Sequence, residues 1–399
     1  IGFLTRTYFW YYGFGFDLGK PGLVRDGDGY LQMAATFGPS SDLDFFHHWR
    51  AFYQLLYPLI LAPIFIFGLN DSIYVFWLHH FFVASTIICI YLSASELGKT
   101  WAGLLAALVY ACQMQVAFWF SWTDSDTAFH FVLSLLLYGS LLCWKQATGK
   151  RVFLTAISGV LVTFTRPEGI VITTVSFLVL AYRLLVPRIG PFRAIFITIG
   201  PILVLVLSGS YVLTQNKNVR EAVFSNTHVG WGLNFGSRET MLKPGLVNAS
   251  IWAMKSECRA KARADLEKRN YWYWCSVTGL ENIANDPLNY IRVLAKRLPN
   301  LMYPSLFRDS YSLKYKIVDR GVMFFITIGV MCALIFRHVR KFEVVGLTLM
   351  ASSLIMLINM YQAEWDVRVQ LSAQVLLIPI AALGWIMLLD RIRERFQPS

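Results

Sequence analysis

IYVFWLHHFFVASTIICIYLS, residues 73–93, runs the length of a membrane span without one Asp, Glu, Lys or Arg. A helix crossing the hydrocarbon core needs roughly 20 mostly apolar residues, so this stretch predicts a spanning helix. Comparable segments recur at about 101–120, 128–144, 152–165, 169–187, 194–214, 319–337, 342–360 and 368–389. Residues 51–69 are apolar as well, but Pro58, Pro63 and Gly68 interrupt them. Composition points the same way: 56% of the 399 residues are hydrophobic and 15% are charged, where a soluble domain carries about a quarter charged. Aromatics reach 16%, as expected where Trp and Tyr sit in interfacial belts. The predicted fold is an all-α polytopic membrane protein.

The 36 basic and 24 acidic residues give a net charge of +12. The basic residues cluster in short runs between apolar segments, so they predict topology and no nucleic-acid partner. Lys145, Lys150 and Arg151 form one cluster, and Arg183, Arg188 and Arg193 a second. Arg337, Arg340 and Lys341 form a third, and Arg391, Arg393 and Arg395 a fourth. Pairs of helices separate these clusters, so all four fall on one side, which the positive-inside rule makes cytoplasmic. Residues 121–127, 166–168, 363–366 and the long polar loop 215–318 then share the other side. The same parity leaves 51–69 no room to cross, so it should form a juxtamembrane or re-entrant helix, which its prolines permit.

The expected divisions are therefore five. Residues 1–16 read as the tail of a truncated first helix, and 17–72 as a first external loop with its juxtamembrane helix. Residues 73–214 form a transmembrane bundle, 215–318 an external loop, and 319–399 the C-terminal transmembrane helices. No cleavable signal pattern is visible. Within the long loop, Asp286-Pro287 predicts a helix start, with Asp286 as N-cap and Pro287 at the first position. Ile291, Leu294, Ala295 and Leu298 follow at helical spacing against Arg292, Lys296 and Arg297. That pattern is a basic amphipathic helix suited to an anionic surface. Cys258 and Cys275 lie in the same loop and pair if it faces an oxidising compartment.

Four acidic or basic constellations sit at expected external helix ends. Asp26-Gly27-Asp28-Gly29-Tyr30 places two carboxylates on a glycine-rich turn, where they can converge on a metal ion or on a hydroxyl that loses a proton. An ordinary Asp-Gly turn is the plain alternative. Asp124-Ser125-Asp126 repeats the spacing, against the alternative that Ser125 or Asp126 caps the next helix. Should a divalent ion be used, Asp26, Asp28, Asp124 and Asp126 are its expected ligands. In Thr165-Arg166-Pro167-Glu168-Gly169, Arg166 suits a phosphate; otherwise Arg166 and Glu168 pair with each other. Arg368 opens the last span and neutralises a lipid phosphate or anchors the helix at the interface. His47–His48 and His79–His80 are adjacent pairs whose members fall on different faces of a helix, so neither predicts a metal site. His130 and His228 stand alone. No Walker loop, dinucleotide fingerprint, zinc spacing or nucleophile elbow occurs, which argues against nucleotide-dependent chemistry.

These motifs resemble the GT-C superfamily of integral-membrane glycosyltransferases, which includes protein O-mannosyltransferases and aminoarabinose transferases. The residues carrying the resemblance are Asp26-Gly27-Asp28-Gly29-Tyr30-Leu31-Gln32-Met33-Ala34, Leu55-Leu56-Tyr57-Pro58-Leu59-Ile60-Leu61, Asp124-Ser125-Asp126, Thr165-Arg166-Pro167-Glu168-Gly169 and Asp286-Pro287-Leu288-Asn289-Tyr290. They extend over roughly 17–390. There is no Trp-Trp-Asp motif and no sizeable C-terminal soluble domain, which departs from the oligosaccharyltransferase catalytic subunit; Arg368-Val369 stands where an Arg-Tyr pair is common.

The resemblance implies a GT-C-like helical bundle that moves one sugar from a polyprenyl-phosphate carrier to an acceptor protein, lipid or glycan. The active face would be periplasmic, extracellular or ER-lumenal. Asp28 or Asp26 would be the base, with Asp28 favoured because it leads directly into the following helix. Tyr30, Asp124, Asp126, Arg166, Glu168, Arg292, Lys296, Arg297 and Arg368 would bind substrate, and membrane lipids would be partners. Two other classes remain open: a lipid or sugar transporter or flippase, and an inactive GT-C-like subunit of a larger membrane complex. A transporter is expected to carry charges at mid-bilayer and paired broken helices.

Overall fold

The computed structural model describes residues 26–37, 56–69, 71–113, 116, 125–166, 169, 172–174, 176–178, 180–181, 234, 247–265, 269, 271–302, 313–336 and 368–396. Among these the regular structure is helical throughout. In chain order the helices are α1 (Asp26–Ala35), α2 (Leu56–Leu61), α3 (Pro63–Ile66), α4 (Asp71–Leu97), α5 (Thr100–Ala111) and α6 (Asp126–Lys145). They continue with α7 (Gly149–Thr165), α8 (Val247–Ala264), α9 (Tyr271–Asn285), α10 (Pro287–Met302), α11 (Leu313–Ile335) and α12 (Arg368–Phe396). The chain forms two compact units: Ile1–Arg183 with Ile317–Ile355 and Arg368–Ser399, and Leu184–Lys316 with Met356–Val367.

Three helices of the first unit are long and apolar enough to cross a bilayer: Ile73–Leu97, Asp126–Lys145 and Leu371–Phe396. They answer the segments expected at 73–93, 128–144 and 368–389. Around them, large apolar side chains face outward in helical stripes: Ile73, Trp77, Phe81 and Ile88 on α4, and Phe153, Ile157, Val160 and Phe164 on α7. Apolar stripes of that extent are stable only against another apolar phase, and here the phase is lipid. The protein is an all-helical membrane protein.

Inside the bundle, α6 lies between α4 and α7, and α12 packs on α4, α5 and α6. Small residues let the backbones approach, as in other membrane bundles. A Cβ on Gly139 of α6 would sit 3.1 Å from the hydroxyl of Thr155 on α7. Gly384 of α12 meets the backbone of Gly329 on α11, where any side chain would collide with a carbonyl. Charges mark one end of the bundle. Lys145 at the end of α6 pairs with Glu96 at the end of α4 at 3.4 Å, and Lys99 reaches Asp390 near the end of α12 at 2.5 Å. The start of α6 and the end of α7 lie at the opposite end.

Several expected boundaries differ. In the span expected at 101–120, the described helix is the twelve-residue α5, which stops at Ala111, while 114–115 and 117–120 lie outside the described residues. At 1.5 Å per residue it extends about 18 Å, short of the hydrocarbon core. Beyond its C-cap, Gln113 is buried and hydrogen-bonds Gln374 of α12 instead of extending an apolar run. The segment expected at 319–337 begins earlier, at Leu313. The described residues between 169 and 181 are helical, while the spans expected at 194–214 and 342–360 lie outside the described residues. Within the segment 51–69, the described residues 56–69 hold the broken pair α2 and α3. Pro63 starts α3, and Gly68, at φ +61°, ends it with Leu69 N–H donating to Ile64 O at 2.9 Å. That is a glycine-terminated C-cap, a conformation L side chains rarely adopt.

In the second unit, α8 packs on α9 and α9 on α10. Cys258 of α8 and Cys275 of α9 form a disulfide with Cα atoms 5.3 Å apart, both fully buried. Asp265, between the two helices, accepts from Arg269 Nε at 2.7 Å and from Trp274 Nε1 at 3.1 Å. The Arg269 guanidinium in turn lies over the Tyr273 ring at 4.8 Å. Helix α10 begins as its sequence predicts: the Asp286 carboxylate accepts from Asn289 N–H at 2.9 Å, and Pro287 takes the first position.

Candidate functional site

The site gathers where α1, α2 and the N-terminus of α6 meet in the first unit. Tyr30, Ala34, Tyr57, Leu61, Ile64, Val75, Phe82 and Ala128 form one buried apolar cluster. This cluster seats α1, α2 and α3 on α4 and α6. Tyr74 fixes the seat by donating to Ile60 O at 2.9 Å. The Tyr30 ring stands edge-on to Tyr57, centroids 5.0 Å apart at 89°, a favourable quadrupolar arrangement.

From that seat the Tyr30 hydroxyl reaches Ser125 Oγ at 2.9 Å. Ser125 occupies the N-cap position of α6 but makes no side-chain cap. Asp126, the first residue of α6, is 1% exposed, and its carboxylate pairs with the Arg166 guanidinium. Neither residue caps the helix as the plain alternative held: both point to tertiary partners. The helix N-terminus still favours the Asp126 charge through its dipole. Arg166 follows the last residue of α7 in an extended conformation and lies over the Phe129 ring at 5.8 Å. Gly169 N–H donates to Arg166 O at 3.0 Å, and Gly169 lies so close to the Val162 carbonyl that a Cβ would collide. The glycine of that motif is required by close approach.

Three motifs that are distant in sequence thus share one end of the bundle: the one ending at Tyr30, the one holding Ser125 and Asp126, and the one opening at Arg166. Arg166 pairs with Asp126; the sequence suggested a phosphate or Glu168. Asp124 and Glu168 lie outside the described residues. Asp26 and Asp28 are described as backbone positions in the first turn of α1, and their side chains lie outside the description. Their segment is helix, where a glycine-rich turn was expected. Two residues apart on a helix, the two positions fall on different faces. Arg368 opens α12, its side chain also outside the description. Arg292 and Lys296 are exposed on α10, and Arg297 belongs to the same helix.

Sequence reasoning missed the histidines. His79 on α4 is 4% exposed. Its Nε2 lies 2.7 Å from the Tyr57 hydroxyl and its Nδ1 3.5 Å from Thr127 Oγ1. His130, one turn past Asp126, lies between the Tyr110 hydroxyl at 3.0 Å and Ser372 Oγ at 3.3 Å. The available signal was their depth in apolar segments, where an ionisable side chain is costly unless it has a partner. Judging them only as metal ligands hid that.

Of the four carboxylates expected to bind a divalent ion, only Asp126 has a described side chain, and Arg166 engages it. Among the described residues there is no group of three or more His, Cys, Asp or Glu side chains. The described residues therefore supply no ligand set for a divalent ion.

No family model matches the chain, and no curated protein matches it. Among solved structures, the chain is similar to archaeal oligosaccharyltransferase AglB from Archaeoglobus fulgidus, in complex with an inhibitory peptide and a dolichol-phosphate. The identity is 12% and the TM-score 0.47, over 92% of this chain and 47% of that one. The chain spans about half the length of that protein.

Proposed function

We propose that this protein transfers a sugar from a polyprenyl-phosphate carrier to an acceptor hydroxyl on the non-cytoplasmic face. The observation that carries the reading is the meeting of the Tyr30, Ser125–Asp126 and Arg166 motifs at one end of the bundle. In this reading one of Asp28 and Asp26, which fall on different faces of α1, takes the proton of the acceptor hydroxyl, with Asp28 favoured. The hydroxyl oxygen attacks the anomeric carbon, and the carbon–oxygen bond to phosphate breaks. The phosphate leaves with the electron pair, and the configuration inverts. Phosphate is a good leaving group, so one base suffices, and no step runs through a metal.

The carrier phosphate would lie at the membrane interface, within reach of Arg368. Arg166 has five N–H donors, enough to serve Asp126 and a phosphate oxygen together. Tyr30, Asp124 and Glu168 would complete the substrate contacts. The disulfide between Cys258 and Cys275 supports a non-cytoplasmic second unit, because such bonds persist in oxidising compartments.

The test is release of polyprenyl phosphate from a panel of polyprenyl-phosphate monosaccharides by the protein in nanodiscs. General-base catalysis contributes about 10²–10⁴-fold, so Asp28→Asn should lower turnover by that order with donor binding intact. Asp26→Asn, measured in parallel, tells which of the two is the base. If both variants match the parent rate, the transferase reading fails and transport or a structural role replaces it.

A further inference from the structure

Helix α10 carries its apolar stripe on the wrong side for a helix that packs by it. Val293 is fully buried. Leu288 and Ile291 are 74% and 60% exposed, and Ala295 is exposed beside them. At 3.6 residues per turn, positions 288, 291 and 295 form one stripe on the side roughly opposite Val293. Arg292 and Lys296, both exposed, border that stripe along one edge. An amphipathic helix ordinarily turns such a stripe into its core. Here the buried contact comes from another face, and the stripe is left for a different apolar phase.

We infer that α10 is an interfacial helix that buries Leu288 and Ile291 in the headgroup–acyl boundary of an anionic bilayer leaflet. Charge chooses the occupant: the cations border the apolar stripe, which is the arrangement that places them at headgroup phosphates while the stripe enters the acyl region. Attachment to a membrane-spanning chain holds the helix near a bilayer and raises its effective concentration there. The pose is fixed within its unit, since α10 starts at the Asp286 cap directly after α9, which the disulfide ties to α8. This inference goes beyond the transferase reading and does not depend on it.

The test uses the full chain in nanodiscs, with Cys89, Cys112, Cys143 and Cys332 replaced by Ala and the disulfide kept. A single cysteine at Leu288, Ile291 or the exposed Ala260 of α8 carries an environment-sensitive fluorophore. In discs containing phosphatidylglycerol, emission at 288 and 291 should shift to the blue and be quenched by nitroxide-labelled lipid. The label at 260 should show neither change. Two cations near an anionic surface contribute roughly thirtyfold to partitioning, so purely zwitterionic discs, or Arg292→Gln with Lys296→Gln, should cut the lipid quenching. Labels at 288 and 291 that behave like the one at 260 overturn the inference. So does a blue shift without lipid quenching, which means protein covers the stripe. Lipid quenching indifferent to both charge changes overturns the anionic surface.

Discussion

The Tyr30 hydroxyl lies 2.9 Å from Ser125 Oγ, joining the helix that begins at Asp26 to the N-terminus of α6 across 95 residues of sequence. Both side chains are buried, so losing the bond between them is costly. Tyr30→Phe and Ser125→Ala should each destabilise the protein by about 1–3 kcal/mol. The double variant should cost less than the sum of the two. Thermal unfolding in detergent checks this, and strict additivity would show that the contact contributes nothing.

Asp126 and Arg166 should behave as one unit. Breaking a buried pair by removing one partner costs about 3–5 kcal/mol, whereas removing both charges costs far less. Asp126→Asn combined with Arg166→Gln should therefore be more stable than Arg166→Gln alone. A coupling energy within about 0.5 kcal/mol of zero, measured by a double-mutant cycle, would contradict the pairing.

Tyr57 separates packing from hydrogen bonding. Tyr57→Phe keeps the ring against Tyr30 and removes the bond to His79, a loss of about 1–3 kcal/mol. Tyr57→Ala also empties a fully buried site and should cost about 3–5 kcal/mol. Equal losses in the two variants, read from chemical unfolding, would mean that the ring contact is idle.

Four cysteines, Cys89, Cys112, Cys143 and Cys332, are free, and Cys258 and Cys275 are bonded. A maleimide-polymer gel shift on denatured, unreduced protein should count four modifications, rising to six after reduction. Six at the outset would remove the disulfide. Closing a loop of this length stabilises by about 3 kcal/mol, so Cys258→Ser with Cys275→Ser should make the α8–α9 pair more sensitive to protease.

The two ends of the bundle give a topological prediction. Cysteines introduced at Lys150 and at Asp28 should be labelled from opposite sides of a sealed membrane by an impermeant reagent, with Lys150 cytoplasmic. Labelling of both from one side would break the parity on which the proposed active face rests.

Local features of the sequence determined the elements. Hydropathy summed over about 20 residues located the spans that became α4, α6 and α12, because transfer into lipid depends on the segment itself. The broken helix at 56–66 and the start of α10 were equally legible, since Pro63, Gly68, Asp286 and Pro287 act on their own neighbours. The early end of α5 was not legible, because Gln113 is accommodated only by Gln374, far along the chain.

The same distinction divides the site. Sequence marked Asp126 and Arg166 as charges at helix ends, but not as partners. It left Cys258 and Cys275 either paired or free, and it passed over His79 and His130. Those outcomes depend on which helices cross and at what height, and small residues such as Gly139, Gly329 and Gly384 set that through close backbone approach. A buried polar group is stable only beside a partner, and in this protein those partners lie on other helices, which only the tertiary packing brings into range.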